Sequence, residues 1–243
     1  MAKRIVSIVP SQTELLFDLG LDDEVVGITK FCIHPEAWFR NKTRVGGTKN
    51  LNLDKIRELR PDLILANREE NTKEEVEILS QEFPTYISDI HNLKEAMDMI
   101  LEVGQLCGRE KQAQVMIRNI AQQNGELPQF KLRSALYLIW RNPFMAAGSD
   151  TFIHDMMQRS GFVNVVQSER YPELKADFIS QLNPEVVLLS SEPYPFKEKH
   201  IDEIQSLWPE AEVRLVDGEL FSWYGSRLLK SFDYFRALNE SLR

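Results

Sequence analysis

Residues 53–65 (LDKIRELRPDLIL) reappear 123 positions later as residues 176–188 (ADFISQLNPEVVL), and no other feature restricts the fold of this chain as much. Asp54, Ile56, Leu59 and Pro61 return as Asp177, Ile179, Leu182 and Pro184 (184 − 61 = 123), and an acid follows the proline in both copies. Each copy reads as a helix, a proline that releases the chain from it, and a buried strand. Such a unit exposes an apolar face until other layers cover it, so two copies predict two similar lobes. A weaker echo relates residues 14–20 to residues 155–161, each a helix ended by glycine. Its offset is 161 − 20 = 141, so loops differ in length between the copies.

Short β-branched runs alternate with amphipathic stretches, the pattern of parallel sheets flanked by helices. Strands are predicted at residues 4–9, 25–29, 62–67, 85–88, 134–140, 185–190 and 213–216. Ser11-Gln12-Thr13-Glu14 has the form of a capping box opening a helix that Gly20 closes. The longest helical pattern, residues 92–123, carries a broad apolar stripe and weakens at Gly104 and Gly108, where a break is expected. The expected organisation is an N-terminal α/β lobe over 1–91, a connecting helix over 92–124 and a C-terminal α/β lobe over 125–243. The fold class is therefore α/β, two Rossmann-like lobes joined by one backbone helix with a ligand cleft between them.

The formal charge of −8 argues against nucleic acid as a partner. No stretch approaches the ~20 apolar residues of a membrane-spanning helix. The apolar run before Pro10 is too short for a secretory leader, which leaves a periplasmic protein with its leader trimmed or a cytoplasmic one complete as given. Cys32 and Cys107 read as free thiols. Nucleophile elbows and phosphate-binding glycine loops do not occur, so the chain is expected to bind rather than catalyse.

In open α/β sheets ligands sit beyond the carboxyl ends of the strands. The loops there carry Ser11 and Gln12, then His34 with Trp38 one turn on, then Asn67 in the first half. In the second half they carry Trp140, Arg141, Phe144 and Tyr171, then Phe221, Trp223 and Tyr224. Aromatic side chains gathered at strand ends suit a flat, largely apolar macrocycle. Trp208 and Phe17, within or at the end of helices, are assigned to packing. His34 lacks a second ligand at metal-binding spacing and reads as a hydrogen-bonding residue, with axial ligation of a metal chelate as the alternative. No bare-metal site can be assembled.

The segment Arg4–Leu16 containing Pro10-Ser11-Gln12-Thr13-Glu14, the repeat through Pro61-Asp62, the Asn142-Pro143-Phe144 turn and the Trp223-Tyr224-Gly225-Ser226-Arg227 stretch resemble the helical-backbone substrate-binding proteins of cobalamin and iron–siderophore ABC importers. The cobalamin-binding branch is the most similar. The resemblance implies a monomeric receptor for a metal chelate such as cobalamin, haem or a ferric siderophore, held as cargo without an intrinsic cofactor. It also implies docking to ABC importer membrane subunits through one acid per lobe, and Glu69 and Glu192 occupy the same repeat position (192 − 69 = 123). Where that branch has Tyr-Pro and Trp, this chain has His34-Pro35 and Asn67, which makes the N-lobe side more polar. Phe144 and Tyr171 keep an aromatic. A cytosolic chelate-binding protein without a transporter is the alternative function.

Overall fold

Ile5, Val6 and Ser7 have almost no accessible surface, as a central parallel strand flanked on both faces requires. The computed structural model describes residues 1–179 and 181–242. In the N-terminal half, chain order gives β1 (Ile5–Ser7), α1 (Pro10–Asp18), β2 (Val25–Ile28), α2 (Glu36–Asn41), β3 (Thr43–Arg44), β4 (Gly46–Gly47), β5 (Asn50–Leu51), α3 (Leu53–Leu59), β6 (Leu63–Asn67), α4 (Lys73–Glu82) and β7 (Thr85–Ser88). The helices α5 (Leu93–Leu106) and α6 (Glu110–Gly125) follow. The C-terminal half contains β8 (Arg133–Trp140), β9 (Met145–Ala146), α7 (Phe152–Arg159), β10 (Phe162–Asn164), α8 (Ala176–Ile179), β11 (Val186–Ser190), α9 (Ile201–Leu207), β12 (Glu212–Val216), α10 (Glu219–Ser222) and α11 (Leu228–Ser241).

The chain divides into two units. The first comprises Met1–Ile90, Lys94–Ala121 and Tyr224–Arg227; the second comprises His91–Leu93, Gln122–Trp223 and Leu228–Arg243. The first sheet runs β3-β2-β1-β6-β7 and is parallel throughout. The second runs β10-β8-β11-β12, also parallel, with β9 antiparallel on β8. The order β2-β1-β6-β7 is thus repeated as β10-β8-β11-β12, and the sequence repeat is a repeat of topology. Each sheet has its own apolar core, with Val6, Ile56, Ile64 and Leu79 in the first unit and Leu136, Val187, Leu189 and Trp208 in the second.

The acid after each repeat proline has a structural reason. Asp62 accepts the backbone N–H groups of Lys3 (2.8 Å) and Arg4 (2.8 Å), while its own N–H donates to the Arg4 carbonyl (2.9 Å). Glu185 accepts the Ser134 N–H (2.7 Å) and hydroxyl (3.1 Å), and its N–H donates to the Ser134 carbonyl (2.9 Å). Each acid ties the entry of one strand to the entry of its neighbour. The Ser134 N–H and hydroxyl hold the Glu185 carboxyl below the ordinary range. Its contribution is present above the ordinary glutamate pKa of about 4.3 and is lost as pH falls through the depressed folded value. Glu185→Gln is expected to lower Tm by about 2–4 °C at pH 7 and by progressively less as the pH falls below the ordinary glutamate range, as melts across that range will read.

One expectation about helices needs correction, and the expected break at Gly108 is present. The Ser11–Glu14 capping box does not form: α1 starts two residues earlier, with Pro10 in its first turn and Val9 as a cap without a side-chain bond. Proline fixes a helical φ and lacks only an N–H that the first turn leaves unpaired anyway. Glu14 instead pairs with Arg227. Gly20, at φ +77°, ends the helix as expected. The helical pattern over residues 92–123 becomes two helices, α5 and α6, parted at Gly108 with φ +69°. At 1.5 Å per residue, the 16-residue α6 is about 24 Å long.

Every predicted strand is present, within one to two residues at its ends. The short strands β3, β4, β5, β9 and β10 were not anticipated.

Candidate ligand-binding site

In the first unit the carboxyl ends of β1, β6 and β7 converge on Ser88, the last residue of β7. Its hydroxyl accepts from Gln12 Nε2 (2.6 Å) and Asn67 Nδ2 (3.0 Å) and donates to the Ala66 carbonyl (3.2 Å). Tyr224 reaches the same place from the far end of the chain, within hydrogen-bonding influence of Ser88 and Ser11. Gly225 turns the chain there at φ +130°, a conformation that side-chain-bearing residues rarely adopt. Burial, followed by the nearby Glu70 charge, pushes the Tyr224 phenol well above its ordinary pKa, so it stays protonated. Ser11, Gln12, Asn67 and Tyr224 therefore come together as one polar floor.

Asn67 is fully engaged. Its Nδ2 donates to the Ser88 carbonyl and hydroxyl, and its Oδ1 accepts the N–H groups of Glu69 (2.9 Å) and Glu70 (3.1 Å). Asn71 locks the other side of this turn by accepting the Asn67 N–H and donating to the Ile8 and Thr48 carbonyls. Asparagine is here because its short amide satisfies three backbone groups and the Ser88 hydroxyl around a turn that leaves a buried strand. The turn carries the half-buried Glu69 and the exposed Glu70. Glu70 is open to water on its surface, yet crowding by protein raises its carboxyl pKa, with Lys49 opposing and Glu69 adding to the shift.

His34 lies half-buried after β2. Trp38 stands apart from this floor. Only 2% of its surface is exposed, its indole N–H donates to Asp22 (2.5 Å), and Phe17 packs on it edge-on at 5.4 Å between ring centroids. It lines a separate hollow of about 430 Å³ with Phe17, Asp22 and Lys42. Cys32 is buried against Thr13 and Thr29, and burial keeps it a thiol.

In the second unit Trp140 ends β8 with 40% of its surface exposed, and Tyr194 packs edge-on against it at 5.7 Å. Arg141 forms a two-point pair with Glu203 (2.9 and 3.1 Å). Phe144 is half-buried against the core, and Tyr171 is half-exposed. Trp223 donates its indole N–H to Glu192 Oε1 (2.9 Å), which also accepts from the Ser222 hydroxyl (2.6 Å). Phe221 departs from the group: it has no exposed surface and sits amid Tyr137, Tyr234 and Phe235 at 4.8–6.2 Å. Among the described residues no three His, Cys, Asp or Glu side chains converge as metal ligands.

Sequence reasoning missed Ser88 and Tyr194. The rule that singled out the other strand ends applies equally to β7 and would have found Ser88. Tyr194 lies four residues beyond β11, brought to Trp140 by its backbone N–H bonding to the Ile139 carbonyl (3.2 Å).

The sequence pattern of the family described as periplasmic binding protein matches residues 5–210. An uncharacterized ABC transporter substrate-binding lipoprotein of Bacillus subtilis, YvrC, is 25% identical, covering 95% of this chain and 78% of its own length. The vitamin B12-binding protein of Yersinia pestis is 22% identical, covering 88% and 78%. Among solved structures, the periplasmic heme-binding protein RhuT of Roseiflexus sp. RS-1 superposes with a TM-score of 0.82 at 18% identity, over 99% of both chains.

Proposed function

Because the chain belongs to the periplasmic binding protein family, we propose that it is the substrate-binding component of an ABC importer whose cargo is a metal chelate: a corrinoid, haem or ferric siderophore. The observation that carries this reading is the repeated topology, in which two sheets with one strand order each place a shaped rim at their carboxyl ends. The first rim is polar, built from Ser11, Gln12, Ser88 and Tyr224; the second offers the exposed Trp140–Tyr194 ring pair and Trp223. Ring faces suit a macrocycle and hydroxyl and amide groups suit its polar substituents. The reading places the protein outside the cytoplasmic membrane, docked to importer subunits through Glu69 and Glu192. No helix among the described residues is long and apolar enough to cross a membrane.

A thermal-shift series with cyanocobalamin, dicyanocobinamide, haemin and ferric siderophores tests this. A cargo that binds only the folded protein adds about 2.7 kcal/mol of stability at a hundredfold excess over its Kd, and it should be recovered chemically unchanged. Flat melting midpoints with every chelate would sink the reading. In the same preparations, Glu69→Lys should abolish association with the importer while leaving the chelate-induced shift intact. Glu69 is the cleaner position for this, since Glu192 also holds Trp223.

A further inference from the structure

The arginines of the strand-end loops are matched within the protein. In the first unit Arg68 pairs with Asp89 (2.9 Å), Lys30 lies over the Phe31 ring (5.1 Å from its centroid) and Lys49 acts on Glu70. Arg227, in the strap carrying Tyr224, is held by both oxygens of Glu14 (2.8 and 2.9 Å). In the second unit Arg141 is held by Glu203 and Arg170 by Asp150 (3.3 Å). Guanidinium groups are the usual two-point partners of carboxylates, and here their donors face protein acids.

The remaining polar groups lean toward accepting. Gln12 Oε1 is buried and receives no hydrogen bond among the described residues, although the Gln12 amide N–H binds Ser88. The backbone turn at Asn67 carries the exposed Glu70. An incoming amide supplies two N–H donors, whereas a carboxylate supplies acceptors only and must shed water without gaining a cation.

We propose that this juxtaposition of matched arginines with acceptor-rich turns makes the chain select chelates edged with amides or cationic groups over chelates edged with carboxylates. The proposal rests on the chelate-binding reading above and deepens it. Two corrinoids that share one macrocycle separate the two ideas: dicyanocobinamide, edged with amides, and dicyanocobyrinic acid, edged with carboxylates. At pH 7 the wild-type protein is expected to bind the amide form at least about tenfold more tightly, measured by equilibrium titration with the visible absorption of the corrinoid. Glu70→Lys is expected to narrow or invert that ratio, and circular dichroism of the variant checks that it is folded. Equal or tighter binding of the carboxylate form overturns the selectivity while leaving chelate capture standing, as does an unchanged ratio in folded Glu70→Lys. Failure of both corrinoids, haemin and ferric siderophores to bind overturns the chelate reading and the selectivity with it.

Discussion

Replacing Arg227 with Met should lower the stability of the folded chain by about 3–5 kcal/mol, read as the shift of a urea unfolding curve. Glu14 and Arg227 are 6% and 8% exposed and meet through two parallel hydrogen bonds of 2.8 and 2.9 Å, although 213 residues separate them in sequence. Removing the guanidinium takes the two-point ion pair away from a carboxylate held among buried neighbours. Methionine keeps most of the volume, so the loss reports the stranded charge rather than a cavity. The double variant Glu14→Leu/Arg227→Met is expected to recover most of the loss, because two apolar side chains need no mutual compensation. If Arg227→Met unfolds at the wild-type urea midpoint, the pair is not buried in solution.

Phe221→Ala is expected to cost about 3–5 kcal/mol as well, by a different mechanism. The ring is closed in by Tyr137 at 5.2 Å, Phe235 at 4.8 Å and Tyr234 at 6.2 Å, so truncation opens a cavity that these rings cannot collapse to fill. Trp140→Ala makes the informative contrast. With 40% of its surface exposed and Tyr194 as its ring partner, Trp140 should cost well under the Phe221 figure in stability. On the proposed function it should weaken chelate binding instead. Urea unfolding and chelate titration of both variants check this, and a Phe221→Ala protein as stable as wild type would refute the core assignment.

That contrast shows what the sequence could and could not reveal. Phe221, Trp223 and Tyr224 stand almost adjacent after β12, so the strand-end rule treats them alike. The four-residue helix α10 then sends them in different directions: the Phe221 ring into the second core, the Trp223 indole to Glu192 and Tyr224 to the Ser88 floor of the first unit. Side-chain direction within a short helix depends on its start, which no periodicity marks. Trp38 misled for a related reason, since a ring one turn after a strand-end loop can face Phe17 and Asp22 instead of the loop.

The larger pattern was legible because it is written twice. Asp62 and Glu185 stand at matching places since both strand entries need an acceptor for backbone N–H groups, and that need is visible as an acid after proline. The break at Gly108 was visible for the opposite reason, as a loss of helix-forming residues. Strand β10 escaped because Phe162–Asn164 is only three residues long and follows a helix-ending glycine directly. Asn67 was recognised as a polar substitution at the rim, but its service to four neighbouring groups depends on Asn71 and Ser88, whose relation to it is three-dimensional.

The return of the chain to the first unit at Tyr224–Arg227 bears on how the protein is made. A ribosome releases Glu14 early and its counter-ion only after nearly the whole polypeptide has been synthesised. Until then the nascent N-terminal sheet carries a carboxylate in a place built for an ion pair, and it lacks the tyrosine that closes its polar floor. Vectorial synthesis therefore cannot finish the first unit before the second has emerged, and expression of the N-terminal half alone would yield an incomplete fold.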